Sequence, residues 1–310
     1  MDGLLIIDKE PGLTSHDVVA KARKILNERR IGHTGTLDPF ATGVLVILLG
    51  RATRLAQFLS GTDKEYEAVI RFGFSTDTGD YAGNRLNDNE NRQPGRWSES
   101  EIEEAMRRLT GDILQVPPMF SAKKVQGKRL YELARRGEVV ERKAVNVCIH
   151  EFEPIRPDNQ LLKNNLDGTV DLKVRVVCSS GTYIRTLAED LGKRLNIGAH
   201  LAELRRTRVG SFSLDNAATL ADLKTRLAEG GLGTILVPLN LALPELPFLH
   251  LTPDDARKVR NGMEVGAATT NWTDGAKVKL CDESGHLIAI GDYNASKQQV
   301  HPRVVITQEN

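Results

Sequence analysis

The stretch Gly32-His33-Thr34-Gly35-Thr36-Leu37-Asp38-Pro39, with the apolar run Gly43 to Gly50 (GVLVILLG) close behind it, sets the terms for the whole chain. An imidazole, two hydroxyls and a carboxylate sit in a glycine-rich segment, and the apolar run reads as a buried strand. Residues 32–43 are expected to be loop, because Gly, Thr and Pro favour irregular backbone. A plain turn would use the same residue types, since Asp before Pro commonly opens one. The segment lacks the Gly-Lys-Ser/Thr of a phosphate cradle, and it matches neither a zinc site nor a serine nucleophile elbow. A carboxylate fixed on a rigid loop between helix and strand is still chemically useful.

Upstream, Gly3 to Asp8 (GLLIID) reads as a strand running into a turn at Lys9-Glu10-Pro11-Gly12. Thr14 and Asp17 have the spacing of a capping box, and Val18, Ala22, Ile25 and Leu26 follow at helical spacing, which predicts a helix over 15–27. Downstream, Tyr66, Ala68, Ile70 and Phe72 alternate with polar residues, as in a half-buried strand. Residues 75–98 are polar and predict exposed loop. Ser98 and Glu101 form a second capping box before a helix that Gly111 is expected to end. Val170, Leu172, Val174 and Val176 mark the clearest strand, and Leu187, Ala188, Leu191 and Leu195 mark the helix after it. Strands and helices mix without a repeating β-α unit, so the fold class is α+β with a largely antiparallel sheet. Leu241 to Pro247 (LALPELP) reads as a linker. Beyond it, Lys277–Leu280 and Leu287–Ile290 suggest a small β-rich module.

The 310 residues suit one large domain and a small one. A net charge of +1 gives no sign of a polyanionic partner, so that argument rests on where the charges lie. From Lys123 to Lys143 eight Lys/Arg face three Glu, and Arg205, Arg206 and Arg208 form a second group after a turn. Basic runs are usually solvated faces, but two of them in a nearly neutral chain imply a polarised surface of the kind phosphate contacts need. Cys148, Cys178 and Cys281 are odd in number and widely spaced, which fits reduced thiols rather than a disulfide framework or a metal site. The N-terminus has no secretory pattern and no apolar run is of membrane-spanning length, so a cytoplasmic protein is expected. In Cys178 to Arg185 (CSSGTYIR), Gly181 allows a tight turn. Arg185 could pair with a buried carboxylate, or simply lay its stem along a helix start.

Several segments together resemble the bacterial TruB-type family of tRNA pseudouridine synthases. They are LLIIDKEPGLTSHDVV (4–19), GHTGTLDPFATGVLVILLGRATR (32–54), KEYEAVIRFGFSTDTGDYAG (64–83), VPPMFSAKKVQGKRLYELARRG (116–137), CSSGTYIRTLAEDLG (178–192) and GAHLAELRRTRVGSF (198–212). They come in the family's order, and GHTGTLDP is the most specific of them. The resemblance implies a catalytic domain of pseudouridine synthase type over 1–240, with a mixed, largely antiparallel sheet. It also implies a small β-rich, PUA-like RNA-binding module over 247–310, where the match is weaker.

The implied reaction isomerises the T-loop uridine at tRNA position 55 to pseudouridine: N1–C1′ breaks, the base turns, and C5 joins C1′. Nothing is oxidised and no group is lost, so no cofactor and no metal are called for. The implied partner is tRNA, with neither a membrane nor an obligate protein partner. By resemblance Asp38 is the catalytic carboxylate, Arg185 its partner, and Tyr66 the residue that stacks on the flipped base. His33 fills the space the base leaves, Tyr183 and Leu204 contact substrate, and Lys9 lies near the opening of the site. A glycosidase would need a second carboxyl group about 5–10 Å away, and the matched motifs offer none in a suitable place. A non-catalytic RNA-binding or tRNA-folding protein is the competing reading, and the trio of Asp38, Tyr66 and Arg185 argues against it.

Overall fold

The structure is a computed structural model that describes residues 1–86, 97–125, 127–138, 140–267 and 271–306. The large sheet has eleven strands. Its principal members are β1 (Gly3–Lys9), β2 (Ile31–Thr34), β3 (Thr42–Leu49), β4 (Lys64–Phe72), β5 (Gly111–Gln115), β6 (Val145–Pro154), β7 (Val170–Cys178) and β8 (Ala199–Val209). From the short strand Leu236–Val237 the order runs β1-β3-β8-β4-β7-β6-β5, with β2 on β3. Among these principal strands the pairings are antiparallel except where β8 meets β3 in parallel, at Arg205↔Thr42 and Arg206↔Gly43.

Patterning explains how the sheet is covered. β1 and β3 are apolar on both faces. Leu4, Ile6, Val44, Val46 and Leu48 enter one core, while Leu5, Ile7, Leu45 and Ile47 enter another with Val18, Val19 and Ala22 of helix α1 (Ser15–Leu26). The predicted Thr14–Asp17 capping box starts α1. In β4 and β7 only one face is apolar. Tyr66, Ala68, Ile70, Leu172, Val174 and Val176 pack under Leu187, Ala188 and Leu191 of a helix that runs Ile184–Arg194. Their other face carries cross-strand ion pairs, Arg71–Asp171 at 2.7 Å and Lys173–Glu67 at 2.9 Å.

A second sheet of five strands forms at the C-terminal end, with Lys277–Cys281, Leu287–Asn294 and Gln299–Val305 at its centre. The mixed α+β class and the β-rich C-terminal unit both match the sequence reading. The 241–247 segment is not a free linker. Ala242 and Leu243 are buried in one core with Leu4, Val44, Cys281, Leu287 and Ile306, so the two sheets share apolar packing. Among the described residues no helix is long and apolar enough to cross a membrane.

Three local expectations need correction. Residues 31–34 are strand, because β2 borders the strongly apolar β3, which supplies backbone partners from Leu49 to Val46. The helix after Ser98, α2 (Glu99–Arg107), stops short of Gly111, which instead begins β5. Within the predicted 75–98 loop, Thr76 and Asp80 are buried and Asp80 bridges to Leu201. Residues 87–96 lie outside the described residues.

The β3–β8 contact depends on a missing side chain. Gly43 has φ +102°, and a Cβ there would lie 2.1 Å from the Arg206 carbonyl oxygen and 2.8 Å from its nitrogen. Gly43→Ala should therefore lower unfolding stability by roughly 2–4 kcal/mol, measured as the urea midpoint. An unchanged midpoint would mean that the two strands can separate at little cost.

Candidate active site

Asp38 sits in the short loop between β2 and β3, which is pinned from both sides. From α1, the Ser15 hydroxyl accepts from Leu37 N at 2.9 Å and donates to Leu37 O at 3.2 Å. From β1, the Lys9 ammonium donates to the carbonyls of Glu10, Leu13 and Pro39 at 2.9, 2.8 and 3.2 Å. From β8, Arg206 donates to Gly35 O at 3.0 Å and Val44 O at 2.7 Å. Backbone carbonyls that would otherwise be orphaned in a tight loop are thereby satisfied by buried cations.

Arg185 completes the centre from the first turn of its helix. Its Nε and Nη2 donate to the two Asp38 carboxylate oxygens at 2.9 and 3.1 Å, a bidentate pair. Its remaining reach goes to Thr78 O and Phe120 O, both at 2.8 Å. The Arg185 side chain is 4% exposed while that of Asp38 is 31% exposed, so the carboxylate has one open side. That side faces a cavity of about 240 Å³ lined also by Lys64, Tyr66, Tyr183, Leu204 and Arg206.

Tyr66 forms one wall from β4, and Tyr183 stands at the helix start. The backbone of Tyr183 is held at both ends by the buried Gln115 side chain, at 2.7 and 3.1 Å. Burial pushes both phenols up; the Arg206 guanidinium opposes this at Tyr66, and the Ser121 hydroxyl, then Arg185, oppose it at Tyr183. Burial, reinforced by Arg206, pulls the Lys64 ammonium down to about 8. Of the described charged residues lining the cavity, Asp38 is the sole acid and Lys64, Arg185 and Arg206 are cations.

The structure brings Asp38, Tyr66, Tyr183, Arg185 and Leu204 together around one cavity. His33 is on β2, outside the cavity lining, with its ring against His16 at a centroid distance of 5.3 Å. Lys9 is not at an opening; it is 1% exposed beneath the loop, and burial pulls its ammonium down to about 8. The group Arg205, Arg206 and Arg208 is not a surface patch after a turn. It lies in β8, where Arg206 is 0% exposed, Arg205 pairs with Asp8 and Arg208 pairs with Glu65. Sequence reading missed Lys64 and Gln115. Lys64 was legible in principle, since it precedes Tyr66 by two residues and so shares its face of β4. Nothing local marks Gln115.

The Lys123–Lys143 region does form a basic concavity. Lys123, Lys128, Arg142 and Lys143 line a cavity of about 700 Å³ together with Leu130, Leu133 and two acids, Glu138 and Glu141, so cations outnumber acids on its wall. It begins where the chain leaves the site, for Phe120 O binds Arg185 and Ser121 lines the smaller cavity.

Comparison with known proteins points to one family. Residues 23–184 match the family described as TruB family pseudouridylate synthase (N terminal domain), and residues 185–244 match the tRNA pseudouridylate synthase B C-terminal domain. The chain is 41% identical to a tRNA pseudouridine synthase B of Bacillus pumilus, over 100% of this chain and 99% of the relative. It is 42% identical to the protein of that name from Solibacter usitatus, over 99% and 100%. Among solved structures, a chain of a Cbf5-Nop10-Gar1 complex superposes with a TM-score of 0.74 at 27% identity, covering 99% of this chain and 85% of that one.

Burial, with His16 and Arg206 adding to it, pulls His33 from 6.5 down to about 4. Between those values the unfolded chain binds a proton that the folded chain does not, so stability should fall as pH drops through that window. His33→Phe should flatten the plot of urea midpoint against pH between 6.5 and 4. An unaltered slope would contradict the burial of a neutral imidazole.

Proposed function

Because this chain belongs to the TruB family of pseudouridylate synthases, we propose that it isomerises the T-loop uridine at position 55 of tRNA to pseudouridine. The observation that carries the proposal is the cavity in which a single carboxylate, Asp38, is held at both oxygens by Arg185 and faces the ring of Tyr66. Residues 1–240 are read as the catalytic domain and 247–310 as a PUA-like RNA-binding domain. Work on tRNA fits a cytoplasmic protein.

The chemistry follows from these groups. A uridine inside a folded T-loop must leave its stack, at a cost of a few kcal/mol, and stacking on Tyr66 offsets part of that cost. Leu204 and Tyr183 contribute further walls to the cavity. Asp38 then acts at the ribose, either by capturing C1′ or by taking the C2′ proton, as N1–C1′ breaks. The detached ring turns, C5 bonds to C1′, the C5 proton departs and N1 gains one. Atoms and electrons balance without an external reagent. Arg185 fixes the direction of the Asp38 oxygens through two charge-assisted hydrogen bonds. His33, on β2 beside the cavity, is read as the residue that fills the space the flipped base leaves. Lys9 serves the loop's shape. The basic concavity from Lys123 to Lys143 suits phosphates of the stem-loop. A purely RNA-binding role would leave the enclosed Asp38 without a purpose, and no observation favours it.

Incubation with an unmodified tRNA transcript, followed by nuclease digestion and mapping, should find pseudouridine at one T-loop position. Asp38→Asn should lower the single-turnover rate more than about 10³-fold while tRNA affinity stays within a few-fold. A rate near that of the unaltered protein would remove Asp38 from the mechanism.

A further inference from the structure

The site holds more positive charge than its carboxylate can balance. Asp38 is neutralised by Arg185, which leaves Lys64 and Arg206 as two further cations on the cavity lining. Both are buried, Arg206 at 0% and Lys64 at 6% exposure. Among the described residues no carboxylate is bonded to either: Lys64 donates to the carbonyls of Ser60 and Thr62, and Arg206 to those of Val44 and Gly35. Among the described residues the Nη1 of Arg206 is buried without a well-formed hydrogen bond, though the guanidinium lies near enough to the Tyr66 hydroxyl to oppose the rise that burial causes in that phenol, and a buried charged donor so placed is costly. A guanidinium on the cavity lining whose third donor group meets no protein carbonyl or carboxylate, and only the Tyr66 hydroxyl nearby, is suited to an anion that enters the cavity.

Its place in the sheet says which anion. Arg206 is the register partner of Tyr66 across β8 and β4, and Lys64 is two residues from Tyr66 on the same face. The surplus charge therefore lies beside the ring that would stack on the base, while Arg185 and Asp38 occupy the sugar end. A nucleotide phosphate lies beyond the sugar from its base, so a phosphate would be served at the wrong end. The base itself becomes an anion during the reaction. When N1–C1′ breaks, the bonding pair stays with the ring and spreads over N1, O2 and O4, whichever way Asp38 meets the deficit on the sugar.

We propose that Arg206, assisted by Lys64, donates a hydrogen bond to the detached uracil anion and stabilises it until C5 bonds to C1′, which makes Arg206 a catalytic residue of the isomerisation. The inference rests on the pseudouridine synthase reading. It assigns to one residue two tasks that the fold makes compatible, since Nε and Nη2 brace the catalytic loop and Nη1 serves the base.

The test varies the leaving group. A tRNA with a single 5-fluorouridine at the target position carries a ring whose anion is intrinsically more stable and needs less help. Single-turnover rates of N1–C1′ cleavage are measured at saturating enzyme for this tRNA and for its uridine counterpart. Arg206→Gln should slow the uridine substrate by about 10²–10³-fold, as loss of a charge-stabilising donor typically does, and the fluorinated one by at least about tenfold less. The ratio of the two rates does not depend on what fraction of the variant is folded, so partial misfolding cannot imitate the result. An equal loss on both substrates, or none on uridine, would make Arg206 a brace only and overturn the proposal. If Arg206→Gln yields no soluble protein, Lys64→Gln must show the same differential in weaker form, and equal losses there would overturn it too. Failure of the unaltered enzyme to form pseudouridine would instead sink the functional reading beneath it.

Discussion

A guanidinium buried to 4% exposure has to be satisfied by something, and much of the site is arranged around that demand. Arg185 takes both oxygens of Asp38 and the carbonyls of Thr78 and Phe120, so three separate loops converge on one side chain. Gly79 lets the second of these come close: its φ is +73°, and a Cβ there would lie 2.4 Å from Glu189 Oε1 and 3.3 Å from Arg185 Cβ. The pair is thus more than a contact between two residues. It is the point at which the loop after β2, the loop after β4 and the segment before the basic concavity are fixed relative to one another. A buried ion pair contributes little net stability on its own account, and its value here is geometric.

The same logic joins the fold to the chemistry on the opposite wall. β8 lies antiparallel to β4 and briefly parallel to β3, and the crossing is close because Gly43 has no side chain. That closeness buries Arg206 and carries its Nε and Nη2 to carbonyls of β3 and the Asp38 loop. The sheet thereby delivers one aromatic ring, one held carboxylate and an excess of positive charge to a single small cavity. A reaction that moves a base from N1 to C5 on the same sugar needs little else: a group acting at the ribose, a surface for the ring, and a field that tolerates the ring as an anion.

Much of this was legible in the sequence, and what was not has identifiable causes. The alternation of Tyr66, Ala68, Ile70 and Phe72 and that of Val170 to Val176 gave their strands, since one face of each is buried and the other carries ion pairs. The Thr14–Asp17 and Ser98–Glu101 capping boxes gave two helix starts, because that chemistry is local. Asp38, Arg185 and Tyr66 came from resemblance and fell together in space. Several of the misreadings concern charge in the interior. Lys9 and Arg206 look like surface residues by type, and only tertiary packing reveals that carbonyls of a distant loop receive them. Arg205 and Arg206 are adjacent in sequence but point to opposite faces of a strand, so a run of basic residues was split between an ion pair and the core. The strand at 31–34 was hidden because its partner, not its composition, makes it a strand.

The central claim is that the two-point hold of Arg185 on Asp38 sets the carboxylate's direction, and Arg185→Lys tests it most directly. Lysine keeps the positive charge but cannot present two parallel donors to a carboxylate. The quantity to measure is the single-turnover rate of pseudouridine formation at saturating enzyme, with tRNA affinity determined beside it. Affinity within a few-fold of the unaltered protein and a rate lower by about 10²-fold or more, as misorientation of a reacting group typically causes, is the predicted result. A rate within about twofold, in a variant that binds tRNA equally well, would show that charge alone suffices and would contradict the account.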